Sequence, residues 1–284
     1  MPIQFGFYNK VDDATLSAGS WTGGAPLTNL QQRLLSLRAR SSDALAASTQ
    51  FRVDIGNDTT VIRLLGLARH TMETDATYRI TAGTTAGGFD TYDSGTADVW
   101  PAVYTSFDLD WEEINWWSGK LTADEVAGYP ISLLHDIGLN VVARYWTFYF
   151  NDTTNTAGYI EIARLWAGPV WSPDVNYAYG AQFGWEARDV VEYSLGGVIF
   201  SEDRAPARVL RVTLKGLTSI EAYGQVLDAQ RRVGTAGELW VMPEITDTVR
   251  YVKRNFFARF RAVDPIAQAF YDLHETSMEM EELL

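Results

Sequence analysis

The chain has 284 residues, a formal net charge of -13 and no cysteine, which removes disulfide frameworks, thiolate metal sites and cysteine nucleophiles and counts against nucleic acid as a main partner. No apolar run approaches the ~20 residues that cross a bilayer, and MPIQFGFYNK is not a charged leader with an apolar core, so neither membrane insertion nor a signal peptide is expected. A hydrophobic content of 46% supports a buried core, while ten tryptophans suit β-sandwich interiors and interaction surfaces alike.

In chain order, Leu27 to Arg40 carries Leu30, Leu34 and Leu37 at helical spacing and reads as a helix. Strand candidates follow: Phe51 to Ile55, stopping at Gly56-Asn57-Asp58; the apolar run Val61 to Leu67; and Thr77 to Thr81, before the turn region Gly83 to Gly88. Between Pro101 and Asn140 seven carboxylates, Asp108, Asp110, Glu112, Glu113, Asp124, Glu125 and Asp136, stand against the single cation Lys120, which reads as an acidic, tryptophan-rich insertion. Within it Thr122 and Glu125 have the spacing of a capping box.

Val141 to Phe150 and Tyr159 to Trp166 read as two sandwich strands around the polar turn Asn151 to Asn155. The loop-like run Ser172 to Gly184 places a domain boundary near 175. Beyond it lie a strand at Val209 to Leu214, a helix from Ser219, as its cap, to Val233 with Ile220, Tyr223, Val226 and Leu227 as apolar positions, and strands at Leu239 to Met242, Val249 to Val252 and Phe256 to Val263. The acidic end, Glu275 to Leu284, reads as solvated or packed on a partner.

The ordered set Phe51-Arg52-Val53-Asp54-Ile55-Gly56, Val61 to Leu67 with Arg69-His70, Ala76 to Ile80, and Ala143-Arg144-Tyr145-Trp146 resembles a discoidin-like (galactose-binding-like) jelly roll over residues 15 to 171. With Gly158 to Leu165 and Gly168-Pro169-Val170-Trp171 behind it, the chain is similar to bacteriophage tail structural proteins in which a jelly roll is joined to a second β domain. Thr71 stands where an asparagine commonly follows the histidine, which counts against a ligand role for His70. The resemblance implies a mainly β chain: a jelly-roll domain over 1–175 carrying the insertion at 101–140, and a smaller β-rich assembly domain over 176–284 with about one helix.

Three histidines without ligand spacing, no G-x-S-x-G and no phosphate-binding glycine loop leave no catalytic motif, so no enzyme is expected. Asp110 and Glu112 beside Trp111, Trp116 and Trp117 could grip a sugar, although an acidic loop is ordinarily just solvated. In an extended segment one of Trp116 and Trp117 can enter the core while the other faces solvent, unless both rings bury under the loop. Arg144 and Arg164, inside apolar strands, call for partners such as Asp54 or Glu161. Asp152 and Asn155 could hold a structural calcium or simply form an Asx turn, and no other cofactor is implied. Arg250, Lys253, Arg254, Arg259 and Arg261 form a basic group that could meet an acidic neighbour.

The resemblance to tail proteins implies a structural component of a phage tail tip or baseplate, located in the virion and made in the host cytoplasm, whose partners are other tail proteins and copies of itself. The alternative is a carbohydrate-binding module that attaches to a host surface glycan.

Overall fold

The computed structural model describes residues 2–56, 60–105, 107–247 and 249–284; of the expected stop at Gly56-Asn57-Asp58, the last two residues lie outside them. Its strands are β1 (Gln4–Gly6), β2 (Thr15–Ser17), β3 (Ala39–Arg40), β4 (Phe51–Asp54), β5 (Val61–His70), β6 (Thr77–Gly83), β7 (Tyr92–Asp93), β8 (Ala97–Asp98), β9 (Ser132–Val142), β10 (Tyr145–Asn151) and β11 (Glu161–Gly168). After these come β12 (Gln182–Glu186), β13 (Val190–Tyr193), β14 (Ile199–Glu202), β15 (Ala207–Leu217), β16 (Leu239–Met242), β17 (Phe256–Val263), β18 (Ala267–Phe270) and β19 (Leu273–Glu282). The chain divides into two compact units. A sandwich unit comprises Tyr8–Val170 with Thr246–Lys253, and a sheet unit comprises Met1–Phe7, Trp171–Ile245 and Arg254–Leu284. The passage at 170–171 is close to the expected boundary at 175, but the units are not consecutive, because each takes in a segment from beyond that point.

The sandwich unit has a sheet of order β2-β4-β10-β6-β7, with β8 also on β6, and a second sheet of order β3-β11-β5-β9. Phe51, Val53, Ile80, Trp146, Phe148 and Phe150 of the first meet Ile62, Leu65, Leu67, Ile162 and Leu165 of the second in one core. Phe51 stacks on Phe148 with ring centres 4.8 Å apart. The first of the two runs that flank the Asn151 to Asn155 turn is divided, with 141–142 ending β9 in one sheet and β10 beginning at Tyr145 in the other; the second run forms β11 from Glu161, so β10 and β11 lie in opposite sheets. Arg144 pairs with Asp54 at 2.8 Å. Fully buried Arg164 pairs with Asp12 at 2.6 Å rather than with Glu161, which holds Arg38 and Arg40. Such pairing is what a guanidinium inside an apolar layer requires.

Three expectations are corrected in this unit. The helix at Leu27 to Arg40 is a 3-10 turn, Leu27–Gln31, with Leu27 and Leu30 buried while Leu34 and Leu37 face solvent. The insertion ends early, since residues 132–142 are β9, paired along β5. Val249 to Val252 is no strand either; a short helix, Tyr251–Arg254, begins there.

The sheet unit is a seven-stranded sheet of order β1-β16-β17-β19-β15-β12, with β18 on β19. Residues Glu275 to Glu282 are thus no solvated tail: β19 is an inner strand between β17 and β15. Met278 and Met280 point into the core, while Glu279 and Glu281 on the other face pair with Arg211 and Arg259. The helical stretch Ser219 to Val233 buries Ala222, Val226, Ala229 and Val233, leaving Ile220, Tyr223 and Leu227 exposed; the buried stripe is carried partly by alanines. Its cap is Thr218 rather than Ser219, with Glu221 completing a capping box.

Arg208 and Glu282 form an ion pair that is almost wholly buried, with Nε 2.9 Å from Oε2 and the guanidinium over the Phe256 ring. Glu282→Gln will strand a buried cation and lower unfolding free energy by about 3–5 kcal/mol, whereas the double change Arg208→Met with Glu282→Leu will recover most of that loss in urea titrations.

Candidate functional site

The segment from Pro101 to Leu121 is a loop built on its own backbone. Gly119 accepts the N–H groups of both Val103 and Tyr104 at 2.8 and 2.9 Å and donates to Asn115 O. It has φ of 61°, and a Cβ there would lie 2.5 Å from Tyr104 O, so only glycine fits. Buried Asn115 donates to Lys120 O at 2.8 Å, and Lys120 donates to Thr74 O at 2.6 Å while pairing with Asp98. Thr105 donates from its N–H and hydroxyl to Asp108, holding that carboxyl below its ordinary range. At the base the expected capping box forms, with Thr122 and Glu125 bonded reciprocally. The Tyr104 hydroxyl donates to Glu125, which with burial pushes the phenol up to about 12.

On this frame stand Trp111, Trp116 and Trp117 in mutual edge-to-face contact, with ring centres 4.6, 6.1 and 4.6 Å apart. Trp111 is 69% and Trp117 83% exposed, and Phe107 and Ile114 are exposed beside them. The expectation that one of Trp116 and Trp117 enters the core is corrected: the segment is a series of turns, not an extended strand, so the rings pack on one another. Asp110 and Glu112 are exposed on the same segment, and their carboxylates have no hydrogen-bond partner among the described residues. The structure therefore brings the three aromatic candidates of this loop together, with Asp110 and Glu112 on the same segment.

The basic candidates are not gathered in the same way. Arg250 pairs with Asp247, Arg254 with Glu244, and Arg259 with Glu281, each within the chain, while Arg261 bridges Glu186 and Glu279. Lys253 lies near enough to Glu125 to help lower that carboxyl's pKa.

Asp152 is buried and accepts from Glu73 N and Asn155 Nδ2 at 3.2 and 2.7 Å, and Asn155 Oδ1 accepts from Ala157 N. Only Asp152 Oδ1 is left without a partner. Asn155 forms an Asx turn on Ala157 N, and no group of three acidic or histidine side chains placed to hold a metal ion occurs among the described residues.

His70 is buried with its ring edge against Trp100, beside a cavity of about 20 Å³, room for one water. Its Nδ1 accepts from Met72 N, and burial depresses its pKa to about 3. Thr71, the departure from the jelly-roll pattern, uses its hydroxyl to accept Glu161 N at 2.9 Å, a bond that ties β11 to the end of β5. His70 is thus a neutral core residue.

No protein-family model and no curated protein matches the chain. Similar solved structures include the family 32 carbohydrate-binding module of Clostridium perfringens NanJ in complex with galactose, at 13% identity and a TM-score of 0.37, over 59% of this chain and 99% of that one. They include also the first family 32 module of a family 31 glycoside hydrolase from Clostridium perfringens (12%, TM-score 0.34, 57% and 99%). A third is a fucolectin from striped bass (Morone saxatilis) serum, at 10% identity and a TM-score of 0.37, over 98% and 99%. These neighbours are carbohydrate-binding proteins, and nothing among them points to a phage tail. At such identities and scores they carry no assignment of function to this chain, which rests on its own residues.

Two outcomes follow. Because the His70 pKa falls on folding, its contribution to stability is complete above the unfolded value of 6.5 and declines as pH drops toward 3. Its share amounts to about 1.4 kcal/mol per pH unit, and urea titrations at pH 7 and 5 will show a smaller difference for His70→Gln than for the parent. Gly119→Ala will open the loop without unfolding the sandwich, seen as altered tryptophan emission with an unchanged main thermal transition.

Proposed function

We infer that the sandwich unit is a non-catalytic carbohydrate-binding module whose contact surface is the loop bearing Trp111, Trp116 and Trp117. The observation that carries this reading is the tryptophan cluster, with Trp111 and Trp117 exposed, on a backbone-fixed loop that also exposes Asp110 and Glu112. A pyranose ring offers an apolar C–H face and a rim of hydroxyls. An indole face complements the first and a carboxylate accepts hydrogen bonds from the second. Because the platform is a surface rather than a cleft, affinity for a single sugar will be modest, with Kd on the order of 0.1–1 mM. A glycan array followed by calorimetry on the full chain will find saturable binding that Trp117→Ala weakens at least about tenfold, the share expected of one buried aromatic contact. Asp110→Asn and Glu112→Gln will alter affinity and no turnover; hydrolysis of any bound glycan, lost in these variants, would make the chain an enzyme instead. Absence of binding across the array removes the reading.

A second reading, a structural part of a phage tail tip or baseplate that assembles with copies of itself and other tail proteins, is favoured by a different observation. The sheet unit exposes a ribbon of apolar side chains between residues 190 and 202. Electron microscopy of assembled particles tests it directly, and a chain found outside the tail rules it out.

A further inference from the structure

From Ile80 to Gly119 the chain holds no lysine, arginine or histidine, while Asp108, Asp110, Glu112 and Glu113 fall within six residues, all exposed. Three successive turns set these carboxylates on the backbone that carries the tryptophan rings: Asp108 N donates to Thr105 O, Glu113 N to Asp110 O and Trp116 N to Glu113 O, each at 3.0 Å. Trp111 and Glu112 are the central residues of the middle turn, and Asp110 and Glu113 are its ends. With consecutive Cα atoms ~3.8 Å apart, a ligand on the exposed Trp111 ring meets these charges at distances comparable with the Debye length, ~10 Å at 0.1 M salt. Lys120 and Lys253 stand at the loop's base, where Lys120 pairs with Asp98 and donates to Thr74 O and Lys253 lies near Glu125.

An indole face does not tell one pyranose from another, because each offers a C–H face. The field around the face does. An acidic sugar brings a like charge to the loop and is repelled, and the net charge of -13 adds to that repulsion at longer range. A neutral sugar is indifferent to the field. A protonated amine is attracted twice, by the carboxylates and by the negative faces of the indoles, tryptophan being the best aromatic partner for a cation. An ammonium group without a sugar ring would satisfy the charge and leave the exposed indoles in water.

We propose that the loop selects an amino sugar, a pyranose bearing a free, protonated amine, over neutral and acidic sugars, with its ring on the exposed indoles of Trp111 and Trp117 and its amine toward Asp110 and Glu112. This specificity rests on the carbohydrate-binding reading above.

Calorimetry of the full chain tests it at about 0.01 M salt, where the Debye length is ~30 Å and the loop's field is unscreened. The probes are a β-1,4-linked glucosamine tetramer, the same tetramer N-acetylated, a galacturonic acid tetramer and tetralysine. The glucosamine tetramer will bind about tenfold tighter than its acetylated form, the gain expected of an exposed cation–π contact with one or two surface ion pairs, and the acidic tetramer will bind most weakly. At about 1 M salt, where the Debye length is ~3 Å, the ratio will fall close to one. Asp110→Asn with Glu112→Gln, near-isosteric changes at exposed positions, will bring it close to one at low salt as well. Trp117→Ala will weaken both forms. A ratio near one in the parent, or a galacturonic acid tetramer bound as tightly, overturns the selectivity and leaves carbohydrate binding in place. Tetralysine bound as tightly as the glucosamine tetramer also overturns it, since charge alone then suffices. A preference that survives the double variant overturns the assignment to Asp110 and Glu112. If none of the sugar tetramers binds, the carbohydrate reading falls and this proposal with it.

Discussion

The sandwich unit depends on one buried carboxylate, Asp152, at the point where the chain leaves one sheet for the other. Residues 152–160 join β10 to β11, which lie in opposite sheets, so the backbone between them crosses the sandwich and its buried polar groups need partners there. Asp152 meets that need by accepting from Glu73 and Asn155, and Asn155 in turn donates to Thr71 O. Thr49 donates to Phe150 O and Ile160 N donates to Ser41, closing the crossing on its other side. A buried acceptor of this kind stabilises chiefly because the donors it serves would otherwise go unpaired.

The same bonds reach the tryptophan loop. The stretch Thr71 to Ala76, fixed to the crossing through Glu73 and Thr156, supplies the carbonyls that hold the loop's base: Thr74 O takes Lys120, Ala76 O takes Val99 N, and Met72 O takes the Trp100 indole N–H. Core geometry and platform geometry are therefore coupled through six residues. That coupling explains how a loop with the exposed rings of Trp111 and Trp117 can keep a defined shape, since an unsupported loop would collapse its rings onto the nearest apolar surface.

What the sequence disclosed follows the range of the interactions. Strands such as β4, β6, β16 and β17 announce themselves by alternation and flanking turns, and the Thr122 box by spacing alone, because each signal is local. β19 alternates just as regularly, with Thr276, Met278 and Met280 inward, but its glutamates are neutralised by Arg211, Arg259 and Arg261. Read without those distant partners, the segment is a run of negative charge. The helix at 219–233 misled for a related reason, since its buried stripe uses Ala222 and Ala229, which a search for large apolar residues passes over. The tryptophan candidates were found by residue type, whereas their mutual packing required knowing that the backbone turns at each step.

The division of labour between the units follows from where unsatisfied surface remains. In the sheet unit the outward charges of β15, β17 and β19 satisfy one another, so that face has little left with which to attract a partner. Exposed apolar side chains include those of the ribbon past β12, of the helix at Ile220, Tyr223 and Leu227, and Tyr179, Phe270 and Tyr271. In the sandwich unit they include Trp111 and Trp117 of the tryptophan loop, where the exposed Asp110 and Glu112 accompany the rings. An apolar ribbon with free strand edges suits a protein surface, and rings interleaved with unengaged acceptors suit a hydroxyl-rich ligand.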